Sequence, residues 1–224
     1  MNNDPVAQMK LNEMKEVVEH DKLKGQAHER LEKALLECVP AAYRKGDVLP
    51  LTFYPSETLM KSCAAVDKFG RELRSLVEDM ALTMYLCGGV GLAAPQVGKL
   101  VRVIVCDWGE KRGDLQALIN PIVIASSTSK VRLREGCLSV PGALVHLERP
   151  EHVTVRCQDL RGEWRDLPLA GWPAHIIQHE IDHLDGKGML DSLSQLERRF
   201  AVKGLEKMRR RETATKKKPG QRRR

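Results

Sequence analysis

The chain is predicted to be an α+β protein in which short antiparallel sheets surround a central metal-binding helix, and three observations carry that prediction. Gln178-His179-Glu180-Ile181-Asp182-His183 contains H-E-x-x-H within a stretch that has helical signals. Leu100 to Asp107 is a short, nearly continuous apolar run of the kind that forms a buried strand. His152 to Cys157 and Gly162 to Leu167 flank Asp159-Leu160-Arg161-Gly162 as two strands flank a turn.

The elements follow in order. Residues 1–46 mix acids with bases (Glu13, Lys15, Glu16, Glu29, Arg30, Glu32, Lys33), and Leu31, Leu35 and Leu36 suggest an amphipathic helix that packs on its own domain or meets a partner. Between Val66 and Met84 the apolar residues Leu73, Val77, Met80 and Met84 recur at helical spacing. Gly89 to Gly98 reads as a loop of small residues around one amide, Gln96, and its glycines match no nucleotide-binding fingerprint because no strand feeds them. Pro173 suits a first helical position and Gly186 a left-handed C′ residue, so the motif helix is expected to run between them. Ser194 and Glu197 form a candidate capping box for a last helix with a loose apolar face of Leu196, Phe200, Leu205 and Met208.

Residues at i and i+4 share a helical face, so His179 and His183 can grip one metal ion while Glu180 stands beside it as proton acceptor. A catalytic site of this type uses three protein ligands and leaves a position for water, so a third ligand must come from elsewhere. His175 is excluded, because it lies about 12 Å along the helix from His183. The remaining candidates are the six cysteines (Cys38, Cys63, Cys87, Cys106, Cys137, Cys157) and His20, His28, His146 and His152. Cys137 has the most unusual surroundings, Glu135-Gly136-Cys137-Leu138-Ser139, where a glycine allows close backbone approach and the thiol would ionise on meeting a cation.

Taken in order, Gly89-Val90-Gly91-Leu92-Ala93-Ala94-Pro95-Gln96, Glu135 to Ser139 and Gln178 to His183 resemble the three motifs of the peptide deformylase family. The resemblance runs from about Leu49 to Leu190, including Thr52-Phe53-Tyr54-Pro55 and Gly171-Trp172-Pro173-Ala174. It implies a peptide-deformylase-like fold and removal of the formyl group from the N-terminal formylmethionine of nascent polypeptides, with release of formate. It also implies Cys137, His179 and His183 as metal ligands, Glu180 as general base, and Gln96 with the Leu138 backbone N–H as donors to the oxyanion. Val90, Trp172 and Ile176 are implied as the methionine slot with His175 near its rim, although Ile176 is equally a good core residue. Gly89 and Gly91 would let extended substrate lie against their backbone, or simply allow a tight turn.

Glu135 and Arg149 look like a charge pair bracing the cysteine loop, and Asp182 or a backbone carbonyl is expected to orient one ligating histidine. Leu144 departs from the many bacterial members that carry arginine five residues after the motif serine. One divalent ion is implied, ferrous iron in the cell, with zinc, nickel or cobalt as alternatives in purified protein. Two other classes compete: a general H-E-x-x-H metallopeptidase, which would recruit histidine or glutamate as third ligand, and an RNA-binding protein with a closed four-ligand structural metal.

The resemblance divides the chain into an extension, residues 1–46, a catalytic domain, 47–192, and a basic end, 193–224. From Glu197 to Arg224 there are thirteen Lys and Arg against three Glu, a net of +10, which leaves −3 for the rest of a chain whose total is +7. A basic helix followed by a disordered cationic tail is expected, suited to RNA phosphates or acidic surfaces, and because substrates of the family emerge from ribosomes the resemblance implies ribosomal RNA as its natural partner. No segment is apolar for long enough to span a membrane and no signal-peptide core follows Met1, so a cytoplasmic enzyme with reduced cysteines is expected, most simply a monomer. The acid content of the first 46 residues argues against an organellar transit peptide.

Overall fold

The computed structural model describes residues 39–109 and 113–216. The expected helix around Leu31, together with Cys38, His20 and His28, lies outside them, as do residues 217–224 of the expected disordered tail. The chain forms helix α1 (Arg71–Leu86), strands β1 (Gly91–Ala93), β2 (Val103–Cys106), β3 (Gln116–Ser126), β4 (Lys130–Cys137), β5 (Val140–Pro150), β6 (His152–Gln158) and β7 (Trp164–Ala170), then helices α2 (Gly171–Leu184) and α3 (Gln195–Lys216). Five strands pair antiparallel in the order β1-β2-β3-β6-β7, and β4 with β5 makes a separate hairpin. This is the α+β arrangement that the sequence predicts.

The apolar run of β2 is continuous because helices cover both faces of the sheet. Val103 and Val105 pack with Leu73, Val77, Met80 and Met84 of α1, whereas Ile104 and Cys106 pack with Ala174, Ile177, Ile181 and Leu184 of α2. Such two-sided burial removes the period-two polar alternation of a half-exposed strand. Helix α1 buries more than its predicted stripe, adding Ala81, Leu82, Thr83 and Tyr85. The reason is a second cover: Val39, Tyr43, Leu49 and Leu51 pack on it, and Thr83 Oγ1 accepts the Leu49 N–H at 2.9 Å.

The β6–β7 hairpin forms as expected, with Gln158 opposite Trp164 and Asp159 Oδ1 accepting the N–H groups of Arg161 and Glu163 at 2.7 and 3.0 Å. The loop expected at Gly89 to Gly98 instead contains edge strand β1, followed by a 3₁₀ turn over Ala94–Val97. Three small or apolar residues offer no period to recognise, and pairing with β2 decides their conformation. Helix α2 starts at Gly171, two residues earlier than expected, so Pro173 sits inside the first turn, where its missing N–H still leaves no helical bond unmade.

Gly186 ends that helix at φ +71°, and a Cβ there would lie 2.7 Å from the Met60 carbonyl oxygen. Gly186→Ala is therefore expected to lower stability by at least about 1–2 kcal/mol, the cost of a left-handed non-glycine residue before any clash is added. Urea unfolding of the two proteins measures it.

The capping box of α3 is present, with Ser194 N–H and Oγ donating to Glu197 Oε2 at 3.0 and 2.6 Å. Its apolar face matches the expected one at Leu205 but not at Leu196 and Phe200. Leu196 and Phe200 are 63% and 66% exposed, while Ala201, Val202 and Leu205 pack on Val140, Ala143, Leu147, Met189 and Leu190. Among the described side chains of α3, the 201-202-205 stripe faces that cluster. Among the described residues, no helix is long and apolar enough to cross a membrane.

Candidate active site

Helix α2 packs against both the five-stranded sheet and β5 of the hairpin, and this brings residues of separate layers together. His179 and His183, four apart, have ring centroids 5.0 Å apart at 81°. Cys137 ends β4 where the pairing register slips between Gly136 and Cys137, and its Sγ lies 3.2 Å from His183 Nε2. One donor atom from each of Cys137, His179 and His183 falls within 4.8 Å of the others, a grouping that can hold a metal ion and the sole such cluster among the described residues. Cys63, Cys106 and Cys157 belong to the α2-side core, and His146 and His152 are exposed.

Glu135, buried beneath the triad, orients it. Its Oε2 lies 2.6 Å from His179 Nδ1, Arg149 donates Nε to Oε1 at 2.6 Å and Nη2 to Oε2 at 3.1 Å, and His175 Nε2 is 2.5 Å from Oε1. Burial opposes the charge, but bonds from His175, His179 and Arg149 hold the Glu135 carboxyl well below the usual carboxylate range. An acceptor-only carboxylate on Nδ1 leaves His179 to present Nε2 to the triad. Burial alone would raise the Cys137 thiol, but the His183 charge first, then bonds from His179 and His183, pull it well below its ordinary value. The site is thus built for the thiolate that a metal requires.

Glu180 faces the triad from the same helix. It is 5% exposed, and its Oε2 has no hydrogen-bond partner among the described residues. Burial pushes its carboxyl up to about 7, with Cys137 and Glu135 adding to the rise and His179 and His183 opposing it. Opposite stands Gln96, 1% exposed, whose Oε1 accepts the Ala93 N–H at 2.8 Å while Nε2 reaches 3.5 Å from Cys137 Sγ and 3.3 Å from Ser139 Oγ. The amide is anchored at its oxygen and offers its N–H groups to the space beside the cysteine.

Comparison with known proteins decides the family. The polypeptide deformylase profile matches residues 48–199. The chain belongs to the polypeptide deformylase family. It is similar to peptide deformylase 1 of Burkholderia multivorans, 46% identical over 155 residues that cover 69% of this chain and 86% of the relative. Peptide deformylase 2 of Nitrosomonas europaea is 43% identical over 167 residues, 75% of this chain and 90% of the relative. Among solved structures, the Legionella pneumophila peptide deformylase superposes with a TM-score of 0.72 at 38% identity, covering 77% of this chain and 99% of that one. The Ehrlichia chaffeensis peptide deformylase in complex with actinonin gives 0.69 at 37% identity, covering 73% and 99%.

Against this deformylase framework, several residues stand differently from the sequence reading. Asp182 orients no histidine; it accepts Arg149 Nη1 at 2.7 Å, because it leaves α2 on the side of the arginine. Arg149 thereby ties the helix to Glu135. Gly91 has a reason that neither substrate contact nor turning supplies: a Cβ there would fall within 2.9 Å of Glu180 Cδ. A Cβ on Gly89 would lie 2.9 Å from Leu138 Cδ1. Leu138 follows Cys137 at the tip of the hairpin, half-buried against the α1-side core.

Of the implied slot, Val90 is partly buried, Ile176 is buried at 4%, and Trp172 is 46% exposed and stacked on His175. Leu144, at the departure from the family arginine, is 60% exposed. Sequence reasoning missed two contributors. Ser139 is fully buried beside the Gln96 amide, and its place at the end of the cysteine motif is the available signal. His175, excluded as a ligand, stacks on Trp172 and also meets the carboxylate that holds His179, and its position one turn before His179 points that way.

Proposed function

We propose that removal of the N-formyl group from nascent peptides, the reaction of this family, proceeds here by attack of a water that Glu180 deprotonates. The observation that carries this reading is the buried Glu180 carboxylate, walled by Gly91 and with one oxygen unpartnered, beside the Cys137-His179-His183 cluster. Those three residues would hold a divalent ion, and they fit one: the thiol is pulled toward thiolate and Glu135 occupies the far nitrogen of His179. Such an ion, when bound, lowers the pKa of water and polarises a carbonyl.

The remaining work belongs to the chain. Glu180 accepts the water proton at its carboxylate, the oxygen adds to the formyl carbon, and the C–N bond breaks as the same proton returns to the amine nitrogen, giving formate and a free N-terminus. Gln96 Nε2–H and the Leu138 N–H serve the oxyanion, donors held in place before reaction begins. Val90, Trp172 and Ile176 line the methionine slot, with the backbone of Gly89 and Gly91 along the substrate. Formate release from a short formyl-Met peptide tests the reading; retention of the formyl group by metal-loaded enzyme would overturn it.

The ion in the cell is Fe2+, although divalent affinity order favours zinc at the same ligands, and purified protein can carry Zn2+, Ni2+ or Co2+ instead. The enzyme acts in the cytoplasm as a monomer, in three parts: an extension over 1–46, the catalytic domain over 47–192 and a basic end over 193–224. That end, with its net +10 from Glu197 onward, tethers the enzyme to ribosomal RNA.

Deleting residues beyond Met208 is then expected to leave kinetics on a short formyl-Met peptide unchanged and to weaken ribosome binding. The slope of log affinity against log salt should also flatten, by about 0.9 for each phosphate no longer neutralised if the RNA behaves as a duplex. Equal affinity and equal salt dependence in a sedimentation assay would reduce the tail to a solvated end.

A further inference from the structure

His175 has no part in the reaction derived above, yet it is only 1% exposed and sits in the polar floor of the site. It stands one helical turn before His179 on the same face of α2, with its ring stacked on Trp172 at 6.5 Å between centroids and 16° between planes. Its Nε2 lies 2.5 Å from Glu135 Oε1, an ion-pair contact whose angle falls short of a hydrogen bond among the described residues. The other oxygen of that carboxylate is the one that meets His179 Nδ1, at 2.6 Å.

A buried carboxylate is tolerated only when polar groups surround it, and here Arg149 and His179 donate to Glu135 while His175 Nε2 stands against its other side. Oε1 takes Arg149 Nε and lies beside His175 Nε2, whereas Oε2 takes Arg149 Nη2 and His179. Removing His175 takes the ring nitrogen away from Oε1 and leaves that side of a buried carboxylate facing apolar surroundings. The carboxylate recovers that loss only by turning toward another donor or water, and the turn carries Oε2 away from His179. The ring of His179 is then without the hydrogen bond that decides which nitrogen faces Cys137.

We propose that His175 is a positioning residue of the metal centre, holding Glu135 in the orientation that presents His179 for ligation. The proposal rests on the reading of Cys137, His179 and His183 as ligands. Its test compares wild type, His175→Leu and His175→Gln loaded with Co2+ or Zn2+. Leucine removes the donor and keeps an apolar filling; the glutamine amide returns an N–H to about the place of the imidazole Nε2.

Release into excess chelator is expected to be about 10–100-fold faster from His175→Leu, the range for losing a residue behind a ligand. His175→Gln should release at close to the wild-type rate, and its Co2+ absorption bands should match wild type while those of His175→Leu shift. Wild-type release from His175→Leu, or equal acceleration in both variants, overturns the proposal while the ligand reading stands. A wild-type protein that retains no metal overturns the ligand reading, and the proposal with it.

Discussion

Glu180→Gln is expected to retain one metal ion per chain and to lose at least about 10²–10⁴-fold in turnover, the contribution of a positioned general base. Glutamine fills the same space, so the wall formed by Gly91 and the neighbouring imidazoles should be undisturbed. What disappears is the group able to take a proton from water and give it to the leaving amine. Burial is the main reason the group is poised near neutrality, since it pushes the carboxyl up to about 7. Metal content by elemental analysis, paired with formate release, makes the measurement. Near-wild-type deformylation by the metal-loaded variant would remove Glu180 from the mechanism.

Cys137→Ala should abolish both metal retention and activity. The loss should exceed the roughly 10–100-fold typical of a residue that only supports a ligand, because a donor is removed outright. Cys63→Ala and Cys157→Ala provide the contrast, for both thiols lie in the core behind α2, where burial pushes them above their ordinary values. A thiol held protonated is a poor ligand. Those variants, and Cys38→Ala, are expected to keep a full complement of metal through purification. A metal-replete Cys137→Ala would instead point to the third ligand of a general H-E-x-x-H peptidase.

Legibility in the sequence follows the range of the interaction. Helix α2 and the convergence of His179, Glu180 and His183 follow from a period of 3.6 residues, and β2 and the β6–β7 hairpin from local apolar patterning. Cys137 comes from another layer of the fold, so no spacing rule reaches it; only the motif around it and the family resemblance single it out. The partner of Asp182 escapes the sequence for the same reason, since the choice between a histidine and Arg149 depends on how β5 passes α2. Gly91 shows the limit most clearly. Its bare Cα is required by a carboxylate 89 residues later, a contact that exists only after β1 has paired and α2 has docked. Likewise the inward stripe of α3 is decided by Val140, Ala143 and Leu147 rather than by its own periodicity.

The polar groups gathered on Glu135 have an evolutionary consequence. Groups that share one partner do not contribute independently, and double-mutant energies among contacting residues depart from additivity by about 0.5–3 kcal/mol. Once His175 or Arg149 is changed, the carboxylate has already relaxed, and the second change meets a different starting state. Residues 135, 149, 175 and 179 therefore form an epistatic set. A lineage can replace the histidine at 175 only with another donor or alongside a compensating change at its neighbours, so these positions should drift together while the surrounding surface varies freely.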